Sequence, residues 1–525
     1  MLPSSQAVAR QSILVGKRAL SRTFTSRLST TPLTAPEGIV AHSLQRLRSK
    51  GLLRESAFVR GQWVETSKTF AVNDPGTGKP LARVPDFTAE EAESAIAGAH
   101  DAFSSWSTTP AAFRQVRLRQ WYELIRQHEQ DLAEILALEN GKPLSEALGE
   151  VRYGATFIEW FSAEAVRSYG DIVRGPSKDN QYLVQKRPVG VCGILTPWNF
   201  PNAMITRKAG AALAAGCTVV VKPASETPLS ALALAKLAKE AGIPDGVLNI
   251  ITTSHENTAA IGKRFCSHPT LSKISFTGST RVGKLMMEQS SSSLKRLSLE
   301  LGGNAPLIVF KDADIDVAIN GTMAAKFRNA GQACVSANRF YVHKDLLHEY
   351  VQKLGKRMDE LSLGHSLAKG SSVGPLIHPQ AVKKVSALVE DAIEHGATLA
   401  RGGGHDDRFH DPTILIGAGK EARIHKEEIF GPVVHIIPFT NEDQVVAEAN
   451  ASDVGLASFF FTKDLARAWR VADALHVGMV GVNTGVVSTA VAPFGGVKGS
   501  GYGREGSKYG LDEYQEKKFV HMVTG

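Results

Sequence analysis

Apolar positions change their period twice along this chain, and each change marks a different kind of structure. Thr88-Ala-Glu-Glu91 forms a capping box, and the apolar positions behind it run at helical spacing to Trp106. A second helical block is predicted from Pro110, a first-turn residue, to Gly141, and a third over 145–170. Residues 171–187 break the pattern. They are polar, with a strand-like Tyr182-Leu-Val-Gln185, and predict an extension leaving the globule. From Val189 onward, short apolar runs at 189–195, 218–222, 247–252 and 273–276 alternate with amphipathic helices, the clearest over 227–241 and stopped by Gly242. Strand–helix alternation at this spacing predicts βαβ units and a mostly parallel sheet, hence an α/β fold. A second alternating block follows Gly303 and continues to about residue 490.

Open α/β sheets bind ligands beyond the carboxyl ends of their strands. Three predicted ends carry polar residues: Thr196-Pro-Trp-Asn199, Lys222-Pro-Ala-Ser225 and Thr277-Gly-Ser279. These make a nucleotide site plausible although the G-x-G-x-x-G fingerprint is absent. Gly499-x-Gly501-x-Gly503 and Gly76-Thr-Gly-Lys79 lack phosphate-loop spacing and read as turns, and Ser290-Ser-Ser-Ser293 reads as a surface loop.

Composition narrows the function. A chain of 525 residues suggests about three domains. With 43% hydrophobic and 21% charged residues, disorder as the main state is excluded. Four cysteines exclude a disulfide scaffold and point to a reducing compartment. No apolar run is long enough to span a bilayer. The net charge of +8 invites a polyanion partner, but its distribution argues otherwise. Arg10, Lys17, Arg18, Arg22 and Arg27 lie within residues 1–36, which contain no Asp or Glu. An Arg- and Ser-rich, acid-free N-terminus predicts a mitochondrial transit peptide and a matrix location; a basic tail is the alternative. The near-neutral remainder fits a small-molecule enzyme, with no nucleic-acid or membrane partner.

Cys334 sits in Gly331-Gln-Ala-Cys-Val-Ser336, a small-residue turn that leaves a thiol accessible. A helix starting behind it would lower the thiol pKa. Cys192, Cys217 and Cys266 read as core residues or lack acid–base neighbours in sequence. Glu300 ends the alternating Leu297-Ser-Leu-Glu-Leu301 beside two glycines, where a carboxylate is either a pocket-facing base or an exposed ion-pair partner. Asn199, between Trp198 and Phe200, is an oxyanion donor or a turn residue. Arg207 and Arg328 could grip a carboxylate as guanidinium forks, or could be ordinary surface or ion-paired arginines.

Read together, Thr196-Pro-Trp-Asn-Phe-Pro201, Phe276-Thr-Gly-Ser279, Leu299-Glu-Leu-Gly-Gly303, Gly331-Gln-x-Cys334 and Glu428-Ile-Phe-Gly-Pro432 resemble the NAD(P)-dependent aldehyde dehydrogenase superfamily. The resemblance covers nearly everything after residue 55. Met204-Ile-Thr-Arg-Lys208, Lys326-Phe-Arg-Asn329, Pro493-Phe-Gly-Gly-Val-Lys498 and Gly503-Arg-Glu-Gly-Ser-Lys-Tyr-Gly510 are most similar to its succinate-semialdehyde dehydrogenase subgroup. The resemblance implies a Cys334 nucleophile that passes through a thiohemiacetal and a thioester. Its oxyanion would be held by Asn199 and the Cys334 N–H, and Glu300 would be the base that hydrolyses the thioester. It also implies cofactor contacts from Thr196, Trp198, Lys222, Ser225, Gly278, Ser279, Glu428 and Phe430. Arg207, Arg328 and Ser488 would grip the substrate's distal carboxylate. No metal is implied.

Two positions depart from the wider pattern. Ser225 replaces the Glu of many relatives, so NADP is expected alongside NAD, with Glu226 pointing elsewhere. Ser336 stands where some members carry a second Cys, so no disulfide switch is expected there. The resemblance further implies a Rossmann-type cofactor domain over 37–170 and 188–302, an α/β catalytic domain over 303–504, and a small β oligomerisation extension from 171–187 with 505–525. A homodimer or homotetramer is therefore expected, and the subgroup suggests a place in 4-aminobutyrate breakdown. Glutarate semialdehyde or another ω-oxo acid is the alternative substrate, and a thiol esterase without hydride transfer the alternative chemistry.

Overall fold

The computed structural model describes residues 31–523, so most of the expected 1–36 leader lies outside the described residues. Within that span, Leu33 is bound on both sides of its peptide: its N–H donates to the Leu363 carbonyl and its carbonyl accepts from His365 N–H, each at 2.8 Å. Among the described residues the chain forms two compact units, Pro36–Gly302 with 488–523, and 31–35 with Gly303–Val487.

The first unit contains β1 (Ala57–Val59), β2 (Gln62–Val64), α1 (Ala92–Trp106), α2 (Ala111–Gln127), α3 (Glu129–Asn140) and α4 (Leu144–Ala165). The capping box forms as expected: Thr88 N–H donates to the Glu91 carboxylate and Glu91 N–H to the Thr88 hydroxyl. The single helix expected from Pro110 to Gly141 is broken at His128 (φ −102°, ψ 17°), with no Gly or Pro to announce it. The third ends at Ala165, five residues before Gly170. Gly76 lies in a turn built by Asp74, whose carboxylate accepts Gly76 N–H and the Thr77 hydroxyl.

Next come β3 (Asp171–Arg174), β4 (Asn180–Pro188), β5 (Val191–Leu195), α5 (Ala203–Ala215), β6 (Thr218–Lys222), α6 (Leu229–Glu240), β7 (Leu248–Ile250), α7 (His255–Ser267), β8 (Leu271–Thr277), α8 (Thr280–Ser290) and β9 (Arg296–Glu300). Five strands pair in parallel in the order β7-β6-β5-β8-β9. The β1–β2 hairpin and the short strand Gly501–Tyr502 close the two edges antiparallel. This order reverses between β5 and β8, a doubly wound sheet with its switch point there. The inner strands are buried on both faces, which is why they read as unbroken apolar runs. The core packs α1 and α7 against this sheet through Ile96, Ile261, Phe265, Val220 and Ile274.

Residues 171–187 do form strands apart from this core. β3 pairs with β4, and β4 with the C-terminal strand Gln515–Val523, all antiparallel. Only 515–523 of the C-terminal part joins this small sheet; Ser507–Asp512 is helical and Glu505 is buried. Residues 488–504, expected with 303–487, belong to the first unit because Gly501–Tyr502 pairs with β9.

The second unit contains β10 (Ala305–Val309), α9 (Ile315–Lys326), β11 (Ala337–His343), β12 (Thr398–Arg401), β13 (Thr413–Ile416), β14 (Val433–Phe439), β15 (Ala457–Phe461) and β16 (Met479–Val482). Its sheet runs β12-β13-β14-β11-β10-β15-β16, parallel except at β12. The loops entering β10, β11 and β14 therefore lie side by side at the amino ends of adjacent strands.

Candidate active site

In the first unit, the switch point places two strand ends next to each other. Thr196 follows β5 and is buried; its N–H donates to the Lys222 carbonyl at 3.2 Å, and its hydroxyl has no hydrogen-bond partner. Trp198 is half-buried, its carbonyl receiving the Asn140 side-chain amide at 2.9 Å, and Asn199 is buried. Gly278 and Ser279 follow β8. A Cβ on Gly278 would lie 2.3 Å from the Phe276 ring, and Ser279 caps α8 by accepting Val282 N–H. The Thr277 hydroxyl beside them is buried without a partner.

At the end of β6, burial pushes the Lys222 ammonium down to about 8, against the attraction of Glu226, and Nζ lies 3.5 Å from the Thr258 hydroxyl. Glu226 does not point elsewhere as the sequence suggested: the Ser225 hydroxyl donates to its carboxylate at 3.1 Å. The strand has already ended at Lys222, and a turn at 225–226 removes the alternation that would have separated these two side chains.

Glu300 ends β9 and is only 2% exposed, so it is not a surface ion-pair partner. Neither carboxylate oxygen has a hydrogen-bond partner. Burial and the nearby Glu505 carboxylate hold its pKa well above the ordinary range, against Arg207, Lys208 and Arg504. Arg207 on α5 is 2% exposed and packs 4.0 Å from the centroid of Phe494. Its Nε donates to one oxygen of Glu505, and Lys208 Nζ to the other. Glu505 thus stays ionised despite its burial, because two cations hold it, and the Arg207 pKa lies above its ordinary value. Arg207 Nη2 is buried with no partner, so one edge of the fork remains open. Ser488 is half-buried at the start of this unit's C-terminal part.

In the second unit, Cys334 lies between α9 and β11 and is partly exposed, whereas Cys192, Cys217 and Cys266 are buried. The element behind it is the strand β11, not a helix, so the expected helix dipole at the thiol is absent. The turn before it is strained. Asn329 (φ 51°), Ala330 (φ 53°) and Gly331 (φ 76°) are consecutive left-handed residues, of which only glycine adopts that geometry freely. A Cβ at Gly331 would sit 2.2 Å from the Gly431 carbonyl oxygen, and one at Gly303 2.5 Å from that of Cys334. The Gly303, Cys334 and 428–432 loops are thereby fitted together. Glu428 accepts Gly303 N–H at 3.2 Å, and burial pushes its carboxyl up to about 7. Phe430, a left-handed aromatic residue (φ 57°), follows it. Arg328 is exposed at the start of the turn.

The family model of the aldehyde dehydrogenase family matches residues 63–520. The chain belongs to the aldehyde dehydrogenase family. Among its relatives in that family, the mitochondrial succinate-semialdehyde dehydrogenase of Homo sapiens is 50% identical over 476 residues, covering 90% of this chain and 89% of that one. The succinate-semialdehyde dehydrogenase [NADP(+)] of Escherichia coli (strain K12) is 48% identical, covering 90% and 99%. A solved succinate-semialdehyde dehydrogenase from Burkholderia pseudomallei superposes with a TM-score of 0.88 at 47% identity, covering 90% and 98%.

Several buried charged residues of the two units escaped sequence reasoning. Glu505 and Lys208 stood inside recognised motifs without a role, and the signal available for Glu505 was its flank of left-handed Gly503 and Gly506. Glu139 accepts Leu229 and Ser230 N–H at the start of α6, and burial pushes its carboxyl up to about 8. Lys326 is fully buried, donates to Asn338 at 3.2 Å, and is pushed down to about 7 by burial.

Proposed function

We propose that this chain oxidises succinate semialdehyde to succinate with NAD(P). The observation that carries the reading is Arg207, a buried guanidinium held by Glu505 on one edge and open at Nη2 on the other. Such a group is an anion seat for a substrate carboxylate, since burying a carboxylate without a charged partner is expensive. Arg328 and Ser488 are the further candidate contacts. About half-identity over nine-tenths of the chain to enzymes named for this substrate supports the same conclusion.

In the reaction, the Cys334 thiolate attacks the aldehyde carbon, and the oxyanion of the thiohemiacetal accepts hydrogen bonds from the Asn199 amide and the Cys334 N–H. NAD(P), when bound, supplies the hydride acceptor. Glu300, whose oxygens are unpaired, takes a proton from the water that hydrolyses the Cys334 thioester. The residues at the switch point fit a dinucleotide: orphaned buried hydroxyls on Thr196 and Thr277, a glycine at position 278, and a capped helix at Ser279. Trp198 would border the same site, Lys222 and Ser225 would hold the adenosine ribose, and Glu428 and Phe430 the nicotinamide end. Small, neutral Ser225 admits a 2′-phosphate that Lys222 can pair, while Glu226 opposes it, so both cofactors are used.

The test is kcat/KM for succinate semialdehyde and for butanal, with NADP and with NAD, in wild type and Arg207→Ala. The acid should be preferred by at least about a hundredfold, the scale of a buried charge pair, and lose that preference in the variant. Equal losses on both aldehydes would assign Arg207 to the fold alone. Glu226→Gln should raise the NADP-to-NAD ratio of kcat/KM.

Residues 1–36 are read as a leader to the mitochondrial matrix, a reading supported by the mitochondrial names of relatives. Fused to a fluorescent protein they should direct it to mitochondria, and a diffuse signal would refute this. The small sheet of β3, β4 and Gln515–Val523 is read as the surface that pairs with a second copy, giving a dimer or tetramer.

A further inference from the structure

The backbone that carries Asn199 is held by a buried ion pair to which the reaction assigns no part. Lys142 follows α3 and Glu150 lies on α4; their side chains are each 1% exposed. The Lys142 ammonium donates to one Glu150 oxygen and, at 2.9 Å, to the backbone carbonyl of Asn199. It also lies 4.1 Å from the centroid of the Phe200 ring. The other Glu150 oxygen accepts Asn202 N–H at 3.0 Å and Ala203 N–H at 3.2 Å, where α5 begins. Asn140 holds the preceding carbonyl, that of Trp198. Gly154 lets α4 approach closely here, since a Cβ would lie 2.3 Å from the Asn202 side chain.

A buried ion pair adds little to stability over an apolar pair of the same volume. What it adds is direction: two carbonyls and two amides between residues 198 and 203 are fixed from one side by three polar side chains. The Asn199 side chain leaves a backbone that cannot turn without breaking these bonds. A donor aimed before charge develops needs no reorganisation in the transition state.

We propose that Lys142 and Glu150 are positioning residues that hold the Asn199 amide where the oxyanion forms. This rests on the reading of Asn199 as an oxyanion donor. It places positioning side chains outside the strand ends and loops that the reaction uses, one on α4 and one in the short link between α3 and α4.

The test is the variant carrying Lys142→Met and Glu150→Gln, which leaves no unpaired buried charge and keeps acceptors for Asn202 and Ala203. We expect kcat to fall by about ten- to a hundredfold, the cost of a misplaced catalytic group, with KM for succinate semialdehyde changed less than about threefold. Alkylation of Cys334 by iodoacetamide should keep its wild-type rate, because the thiol does not depend on the amide. In an Asn199→Ala background the same pair of changes should cost nothing further in kcat. Should the pair variant not fold, Glu150→Gln alone loosens Lys142 and is expected to lower kcat about threefold, again only when Asn199 is present. An equal loss in the Asn199→Ala background, or no loss in the wild-type background, overturns the proposal. If Asn199→Ala itself leaves kcat within about threefold of wild type, the oxyanion reading fails first and the proposal falls with it.

Discussion

Glu300 is kept in a state a free carboxyl would not choose. Its two oxygens are buried without partners, and Glu505 adds a like charge nearby. Raising the pKa of a carboxyl favours the protonated form in the folded chain, so its contribution to stability is present at low pH. That contribution is lost as pH rises from the ordinary carboxylate range through the elevated value. Glu300→Gln should therefore stabilise the protein above neutral pH, because the amide carries no charge to bury, and by less at pH 4. Turnover should fall by about 10²–10⁴, the usual loss for a general base. Thermal melts at the two pH values check the first expectation; a variant that melts no higher than wild type at pH 8 would contradict it. Alternating leucines were enough to bring Glu300 to notice, but not its burial, because Gly501–Tyr502, which pairs with β9, comes from two hundred residues further on. Cys334 stood out for a similar local reason. The helix expected behind it is replaced by a strand because the apolar Phe340-Tyr-Val342 run forms the inner part of β11.

The turn between α9 and β11 holds two adjacent non-glycine residues in the left-handed region, Asn329 and Ala330. Ala330 holds φ 53°, which costs an L-residue about 1–2 kcal/mol, while Gly331 beside it holds φ 76° against the Gly431 carbonyl. Ala330→Gly should therefore raise stability by about 0.5–1 kcal/mol after the added chain entropy, and Gly331→Ala should lower it by several times that. Denaturant unfolding of both variants measures this. If Ala330→Gly destabilises, the left-handed geometry is not costly there. Periodicity and turn chemistry found most elements of the first unit, including β6 at its observed limits. They missed the break at His128 because no local residue enforces it. Glycines gave most help where backbone meets backbone: Gly303 and Gly331 fit the Cys334 loop to its neighbours, a role that their place in the motifs suggested without explaining.

At the scale of the molecule, the small sheet leaves edges on both sides. β3 is exposed along its length, with Ile172 at 77%, and the C-terminal strand exposes Phe519 and Val523. Open apolar edges of this kind are templates for another chain. If copies pair through this sheet as proposed, Ile172→Lys together with Phe519→Lys should lower the mass read by light scattering at micromolar concentration. An unchanged mass would overturn pairing through this sheet. The alternation of strands and helices conveyed the architecture of both units, and the polar extension announced itself by breaking that alternation. Sequence did not convey where the C-terminal residues go, since pairing partners far apart in the chain leave no local period.

The route of that C-terminal segment also sets an order of events during synthesis. The first unit cannot complete its sheet or neutralise Arg207 and Lys208 until Ser488–Gly525 has emerged, and the whole of Gly303–Val487 is made in between. At about 5–20 residues per second, the ribosome imposes a wait of roughly ten to forty seconds. For that time the N-terminal segment carries two cations destined for burial without the Glu505 carboxylate that pairs them both. A chain released before residue 505 stays in that condition, so the two ion pairs of Glu505 register that the segment beginning at Ser488 has been made.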